Sequence, residues 1–207
     1  MYKLVFALYL GAALIAPGAS AETTIVLFRH AEKPEQGLGQ LSCQGLNRAL
    51  ALPDVLETKF GTADALFAPN PGVMVKDHGR SYSYVRPLAT IEPTAIRLGL
   101  PVNTQWGYRD IAGLQNELLA PRYHDKTLYV AWEHKKLIQL ARNLIQEAGG
   151  KPDQVPVWSS ADFDSLYVIR IGGDAPPRFA TDHQGLDGRE SSCPGPARHR
   201  PSAVRTY

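Results

Sequence analysis

The sequence has 207 residues, 44% of them hydrophobic, enough to bury one substantial core and too few for two ordinary ones. Its 22 basic residues against 20 acidic ones leave a net charge of +2. That balance excludes a broad cationic field for nucleic acid or an anionic membrane, so any anion site must be local.

The chain opens with MYKLVFALYLGAALIAPGASA, in which Lys3 precedes an apolar stretch that ends on the small residues Ala19, Ser20 and Ala21. An export peptidase accepts such an ending, so residues 1–21 are expected to be a signal peptide cut after Ala21, and the mature protein is expected to be periplasmic or secreted. The apolar run from Leu4 to Ile15 is shorter than the roughly 20 residues a bilayer span needs, so no stable membrane insertion is expected after cleavage. Residues 22–186 are expected to form the single domain.

From Thr23 to Phe28, TTIVLF is a continuous apolar and β-branched run, the pattern of a strand buried on both faces of a parallel sheet. It delivers Arg29 and His30 to its carboxyl edge. Ser42 can then cap a helix carrying Leu46, Ala49, Leu50 and Leu56, with Pro53 kinking or splitting it. ADALFAP, from Ala63 to Pro69, reads as a short second strand. The polar, glycine-bearing stretch from Gly72 to Ser81 reads as a loop, and helical spacing of apolar residues follows from Tyr84 to Leu98. Arg86 falls near the start of that helix, with Pro87 in the first turn, where a missing N–H costs little.

A third strand is expected from Pro101 to Thr104 and a short helix from Leu114 to Leu119. TLYVAW, from Thr127 to Trp132, repeats the buried-strand pattern and ends in Glu133 and His134. An amphipathic helix is then expected from Lys135 to Ala148, stopped by Gly149 and Gly150. A last strand is expected from Ser165 to Ile171. Beyond Gly185 little could enter a core, so residues 187–207 are expected to be a flexible tail without chemistry. Alternating strands and helices point to an α/β fold, with a sheet covered on both faces and ligands bound at the carboxyl ends of strands.

Cys43 and Cys193 are expected in an oxidising compartment, where a thiol pair tends to become a disulfide, although spacing leaves open one buried and one exposed free thiol. Without a close cysteine pair or Cys/His cluster, no metal or other cofactor is expected.

Arg29 and His30 follow one strand, Glu133 and His134 another, and Arg86 begins a helix. Together they make an anion site with two imidazoles. A neutral imidazole can attack phosphorus in line, guanidinium forks match phosphoryl oxygens, and cationic side chains can stabilise the transferring group without a metal. FRHAEKP at Phe28 to Pro34 resembles the Arg-His signature of the histidine phosphatase superfamily, LSCQGLNRA at Leu41 to Ala49 resembles the helix that follows it, and RPLAT at Arg86 to Thr90 resembles the second arginine motif.

The resemblance implies a three-layer α/β/α fold with a mostly parallel central sheet, as in phosphoglycerate mutase. It implies that His30 is phosphorylated, that Arg29, Arg86 and His134 hold the phosphoryl oxygens, and that water hydrolyses the phosphohistidine. Where many relatives have Ser/Thr-His-Gly at the second histidine, this chain has Glu133, His134 and Lys135. Glu133 is therefore either the proton donor or a carboxylate orienting Arg86 or His134, with Asp110 in GYRDIAG the alternative donor. The expected partner is a small phosphorylated substrate or phosphate. A phosphohistidine protein phosphatase and a catalytically weak phosphate binder are the other readings, and composition alone says nothing of oligomeric state.

Overall fold

The computed structural model describes residues 22–195. Residues 1–21, with the expected signal peptide, and residues 196–207 lie outside it. Strand β1 (Thr23–Arg29) runs parallel to β6 (Thr127–Trp132) on one side and antiparallel to β7 (Ser165–Ile171) on the other. Beyond β6, β2 (Ala65–Phe67) pairs in parallel with it and with the edge strand β5 (Val102–Asn103). At the other edge β8 (Arg178–His183) pairs antiparallel with β7, completing a six-stranded sheet in the order β5-β2-β6-β1-β7-β8.

Both faces of this sheet are covered, which is why β1 and β6 carry no polar face. Side chains alternate across a strand, so Ile25 and Leu27 point to one face while Val26 and Phe28 point to the other. The first pair packs with Leu114 and Leu118 of α3 (Ile111–Leu118) and with Leu137, Leu140 and Leu144 of α4 (His134–Glu147). The second pair packs with Leu52 and Leu56 of α1 (Cys43–Phe60) and with Ile91 and Ala95 of α2 (Arg86–Leu98).

Ser42 caps α1 as expected, its hydroxyl accepting from the Gly45 amide at 3.1 Å. Gly45 is required by proximity: a Cβ there would collide with the Glu32 carbonyl, because α1 abuts the loop leaving β1. Pro53 does not split the helix into two elements, since burial of Leu52 and Leu56 on the core side sustains it. Arg48, 1% exposed, donates from α1 to Glu32, Asp164, Gln184 and Asp187. This one buried guanidinium ties together the loop after β1, the start of β7 and the segment after β8.

Three expectations are corrected. Residues from Gly72 to Ser81 are not a plain loop: β3 (Met74–Asp77) and β4 (Arg80–Ser83) form a hairpin. Its two-residue turn, His78 and Gly79, has positive φ at both positions, 47° and 81°, which matches the twist of paired strands. A further strand, β8, follows the one expected to be last; it is a polar edge strand and lacks a buried-strand pattern. The segment after Gly185 is anchored as far as it is described. Leu186 is 3% exposed, Asn47 donates to the Glu190 and Ser192 carbonyls at 2.8 Å, and Cys193 forms a disulfide with Cys43. Among the described residues no helix is long and apolar enough to cross a membrane.

Candidate active site

Parallel register places Arg29 beside Trp132, so the dipeptides leaving β1 and β6 emerge side by side at the carboxyl edge of the sheet. The His30 amide continues the ladder, donating to the Trp132 carbonyl at 3.0 Å. On the other face, α2 is locked to the same loop by Thr90: its hydroxyl accepts from the Ala31 amide at 2.9 Å and donates to the Arg86 carbonyl at 2.8 Å. The Arg86 amide in turn donates to the Gly39 carbonyl at 3.0 Å. These contacts bring the expected Arg29, His30, Arg86, Glu133 and His134 into one cluster. The cluster is closed, with His30 3%, Arg29 5%, Arg86 4% and His134 7% exposed.

His30 lies between Tyr84, edge-on at 6.1 Å between ring centroids, and Phe163, also at 6.1 Å. Burial, followed by the positive charges of Arg86 and Arg29, pulls its pKa down to about 3, so the ring is neutral at physiological pH. Its Nδ1 lies 2.8 Å from the Ala31 carbonyl, which can only accept. The single proton therefore sits on Nδ1, and Nε2 keeps a free lone pair. That is the protonation state a nucleophile needs.

Arg29 donates from Nη1 to the carbonyls of Ser160 at 2.6 Å and Asp162 at 3.1 Å, and its guanidinium lies 3.8 Å from the Phe163 ring centre. Arg86 donates from Nη1 to Asp77 Oδ2 at 2.5 Å, and Lys33 donates to the other carboxylate oxygen at 3.3 Å. Asp77, at the tip of the β3–β4 hairpin, thus rests on the Arg86 guanidinium. Burial works against its charge, but Arg86 and Lys33 outweigh that and hold its carboxyl below the usual range.

Glu133 caps α4 by accepting from the Lys136 amide at 3.0 Å, and its other oxygen lies 2.8 Å from His134 Nδ1, at ion-pair distance but out of line for a hydrogen bond. Burial pushes its pKa up, yet the His134 imidazole and the amides of Lys135 and Lys136 prevail and bring it to about 2. It is a carboxylate, which disfavours the proton-donor role and favours the orienting one. Asp110 is exposed and caps α3, accepting from the Gly113 amide at 2.9 Å.

Six buried side-chain polar atoms among the described residues have no hydrogen-bond partner, and four of them belong to this cluster: Arg29 Nε, Arg86 Nε, His134 Nδ1 and the Tyr84 hydroxyl. Buried polar groups are normally paired, so such a concentration marks a place built for a polar ligand. All four are donors by chemistry or can act as donors, beside two fixed positive charges, which suits an anion. No group of three or more His, Cys, Asp or Glu able to hold a metal ion occurs among the described residues.

Lys135, Arg80, His78, His124 and His183 are exposed, and Trp132 is core, its indole donating to the Tyr108 carbonyl at 2.9 Å. Sequence reasoning missed Asp77, Tyr84 and Phe163; none sits in a motif, and only folding brings Tyr84 and Phe163 to His30 and Asp77 to Arg86. A cavity of about 500 Å³ opens at the opposite end of the sheet, among Thr23, Leu118, His124 and Ile171, away from all of these groups.

The chain is similar in structure to the SixA protein of Nakamurella multipartitia, provisionally named a phosphohistidine phosphatase, with 14% identity over 79% of this chain and 97% of that one and a TM-score of 0.51. It is similar to a mycobacterial glucosyl-3-phosphoglycerate phosphatase, with 14% identity over 78% and 97% and a TM-score of 0.50. It is also similar to a phosphoserine phosphatase of Entamoeba histolytica, with 12% identity over 80% and 98% and a TM-score of 0.50. No protein-family model matches the sequence, and no curated protein matches it. The likeness in structure shows the fold alone: this is the α/β architecture that these three phosphatases share.

Proposed function

We propose that this chain, with the fold of the histidine phosphatase superfamily, hydrolyses phosphate monoesters through a phosphohistidine on His30. The observation that carries this reading is the set of unpartnered buried atoms on Arg29, Arg86, His134 and Tyr84 around a neutral imidazole. His30 Nε2 attacks phosphorus, a P–N bond forms as the P–O bond to the leaving group breaks, and the leaving oxygen takes a proton. Water then attacks the phosphohistidine, releasing phosphate and restoring the imidazole. The guanidinium groups of Arg29 and Arg86, with His134, hold the three phosphoryl oxygens as charge develops. An entering phosphate displaces Asp77 from Arg86, exchanging a carboxylate for a more highly charged anion.

The test is hydrolysis of an aryl phosphate by the mature protein, with vanadate as a competitive inhibitor and an acid-labile labelled protein trapped by rapid quenching. Vanadate that binds without affecting turnover, or turnover with no trapped label, would remove the reading. A second reading, a phosphate binder with weak or no catalysis, is favoured by the contact of Asp77 on Arg86, which closes the site. It predicts vanadate binding without turnover.

Glu133, as an ionised helix cap beside His134, acts by positioning. Glu133→Gln is expected to slow activated aryl phosphates and alkyl phosphates by a similar factor, on the order of 100-fold, because misplacing a phosphate ligand impairs attack whatever group leaves. A loss confined to the alkyl substrate would make Glu133 the proton donor after all. Asp110→Asn, measured on the same two substrates, reports whether the GYRDIAG segment supplies the proton instead.

A further inference from the structure

We infer that Tyr84 is a further catalytic residue of this site, its phenolic hydroxyl donating a hydrogen bond to an oxygen of the phosphoryl group as that group passes from the substrate to His30. The inference rests on the phosphatase reading above and adds a ligand that no sequence motif marked.

Tyr84 is 1% exposed and held on every side. Its amide donates to the Pro71 carbonyl at 3.2 Å, its ring meets His30 edge-on at an interplanar angle of 86°, and the ring of Tyr108 lies 5.2 Å away. The Arg86 guanidinium is 5.0 Å from its ring centre. In this frame the hydroxyl is buried and no acceptor takes its proton, although a buried tyrosine ordinarily finds one.

Arg86 acts on the hydroxyl both by its charge and as a hydrogen-bond donor to the phenolic oxygen, and the charges of Glu133 and Arg29 act on it as well. Arg86 and Arg29 can only donate, so toward them the phenolic oxygen serves as an acceptor and its own proton remains unused. The carboxylate of Glu133 caps the Lys136 amide and lies at ion-pair distance from the His134 ring. An anion entering between the two guanidinium groups is thus the acceptor this proton lacks. Burial raises the phenol above its ordinary range, so it remains a neutral donor at any working pH. Such a group donates a hydrogen bond without giving up the proton, which suits a phosphoryl oxygen and leaves protonation of the leaving group to another residue.

The experiment is Tyr84→Phe in the full mature chain, which keeps the ring and its contacts and removes only the hydroxyl. The expected result is a kcat on aryl phosphate lower by about 100-fold, the scale for losing one donor to a transferring group, with little change in KM. Inhibition by vanadate, which resembles the five-coordinate state, should weaken by a similar factor while inhibition by inorganic phosphate changes much less. The melting temperature without ligand should stay level or rise, because an unpartnered buried hydroxyl is a cost to the folded state. Wild-type kcat and vanadate inhibition would overturn the inference. So would a lowered melting temperature with both inhibitors weakened alike, or a variant that fails to fold, since each would show a structural contact for the hydroxyl. If the unaltered protein neither turns over phosphate esters nor binds vanadate, the phosphatase reading itself fails.

Discussion

His30→Ala is expected to reduce hydrolysis of aryl phosphates by about 10⁴-fold or more, the scale found when a covalent nucleophile is deleted. The size follows from the proposed arrangement, in which Arg29 and Arg86 would hold the phosphoryl group but offer no lone pair. In the native chain the Ala31 carbonyl fixes the proton on Nδ1, which leaves the Nε2 lone pair free for the proposed attack. Labelled phosphoprotein should vanish with turnover, while phosphate binding, carried by the guanidinium groups, should survive. A His30→Ala protein that retains activity within about tenfold of the original, an effect too small for loss of a nucleophile, would contradict the mechanism.

Stability is expected to fall by about 2 kcal/mol between pH 7 and pH 5 in phosphate-free buffer, and by about 3 kcal/mol at pH 4, through His30 alone. The folded-state pKa of His30 is about 3, against an ordinary 6.5. As pH drops below 6.5 the unfolded chain takes up a proton that the folded chain refuses. Stability present above pH 6.5 is therefore lost progressively toward pH 3, by at most about 1.4 kcal/mol per unit for one proton. Glu133, with its pKa near 2, adds a loss of the same sign only below its ordinary range near 4.5. Urea denaturation at pH 7 and pH 5 separates the two, because Glu133 contributes little in that interval. His30→Asn should flatten the slope. An unchanged midpoint between pH 7 and pH 5 in the native chain would show that His30 is protonated in the folded state.

Bound phosphate should reverse part of that loss. The site is electrostatically unfavourable for a protonated His30 because two buried arginines face it. An anion between them removes the repulsion, and its binding to the folded chain alone adds stability. Closure by Asp77 fits the same logic, since a carboxylate on Arg86 partly compensates a buried positive charge.

The sequence by itself determined the parts of this protein that local chemistry controls. The runs TTIVLF and TLYVAW can only be strands covered on both faces, and the chain must deliver Arg29, His30, Glu133 and His134 from their carboxyl ends. Ser42 marks the start of α1 because a cap needs a side-chain acceptor for the first free amides. The strand from Ser165 to Ile171 was legible for the same reason as β1 and β6. The hairpin β3–β4 and the edge strand β8 were not, because polar strands satisfied by a single neighbour carry no apolar period.

Tertiary structure alone decided the rest, since it concerns groups whose effect depends on distance. Asp77 became a partner of Arg86 only when the hairpin folded over α2, and Tyr84 and Phe163, 79 residues apart, became walls of His30 only through the sheet order. The role of Glu133 was open in sequence because a carboxylate next to a histidine can donate or orient. Its position at the N-terminus of α4, where backbone amides stabilise the charged form, turned the balance toward orienting. Cys43 and Cys193 likewise could not be paired by spacing; the Arg48 cluster and the Asn47 contacts bring the chain after β8 back along α1, and the disulfide closes there.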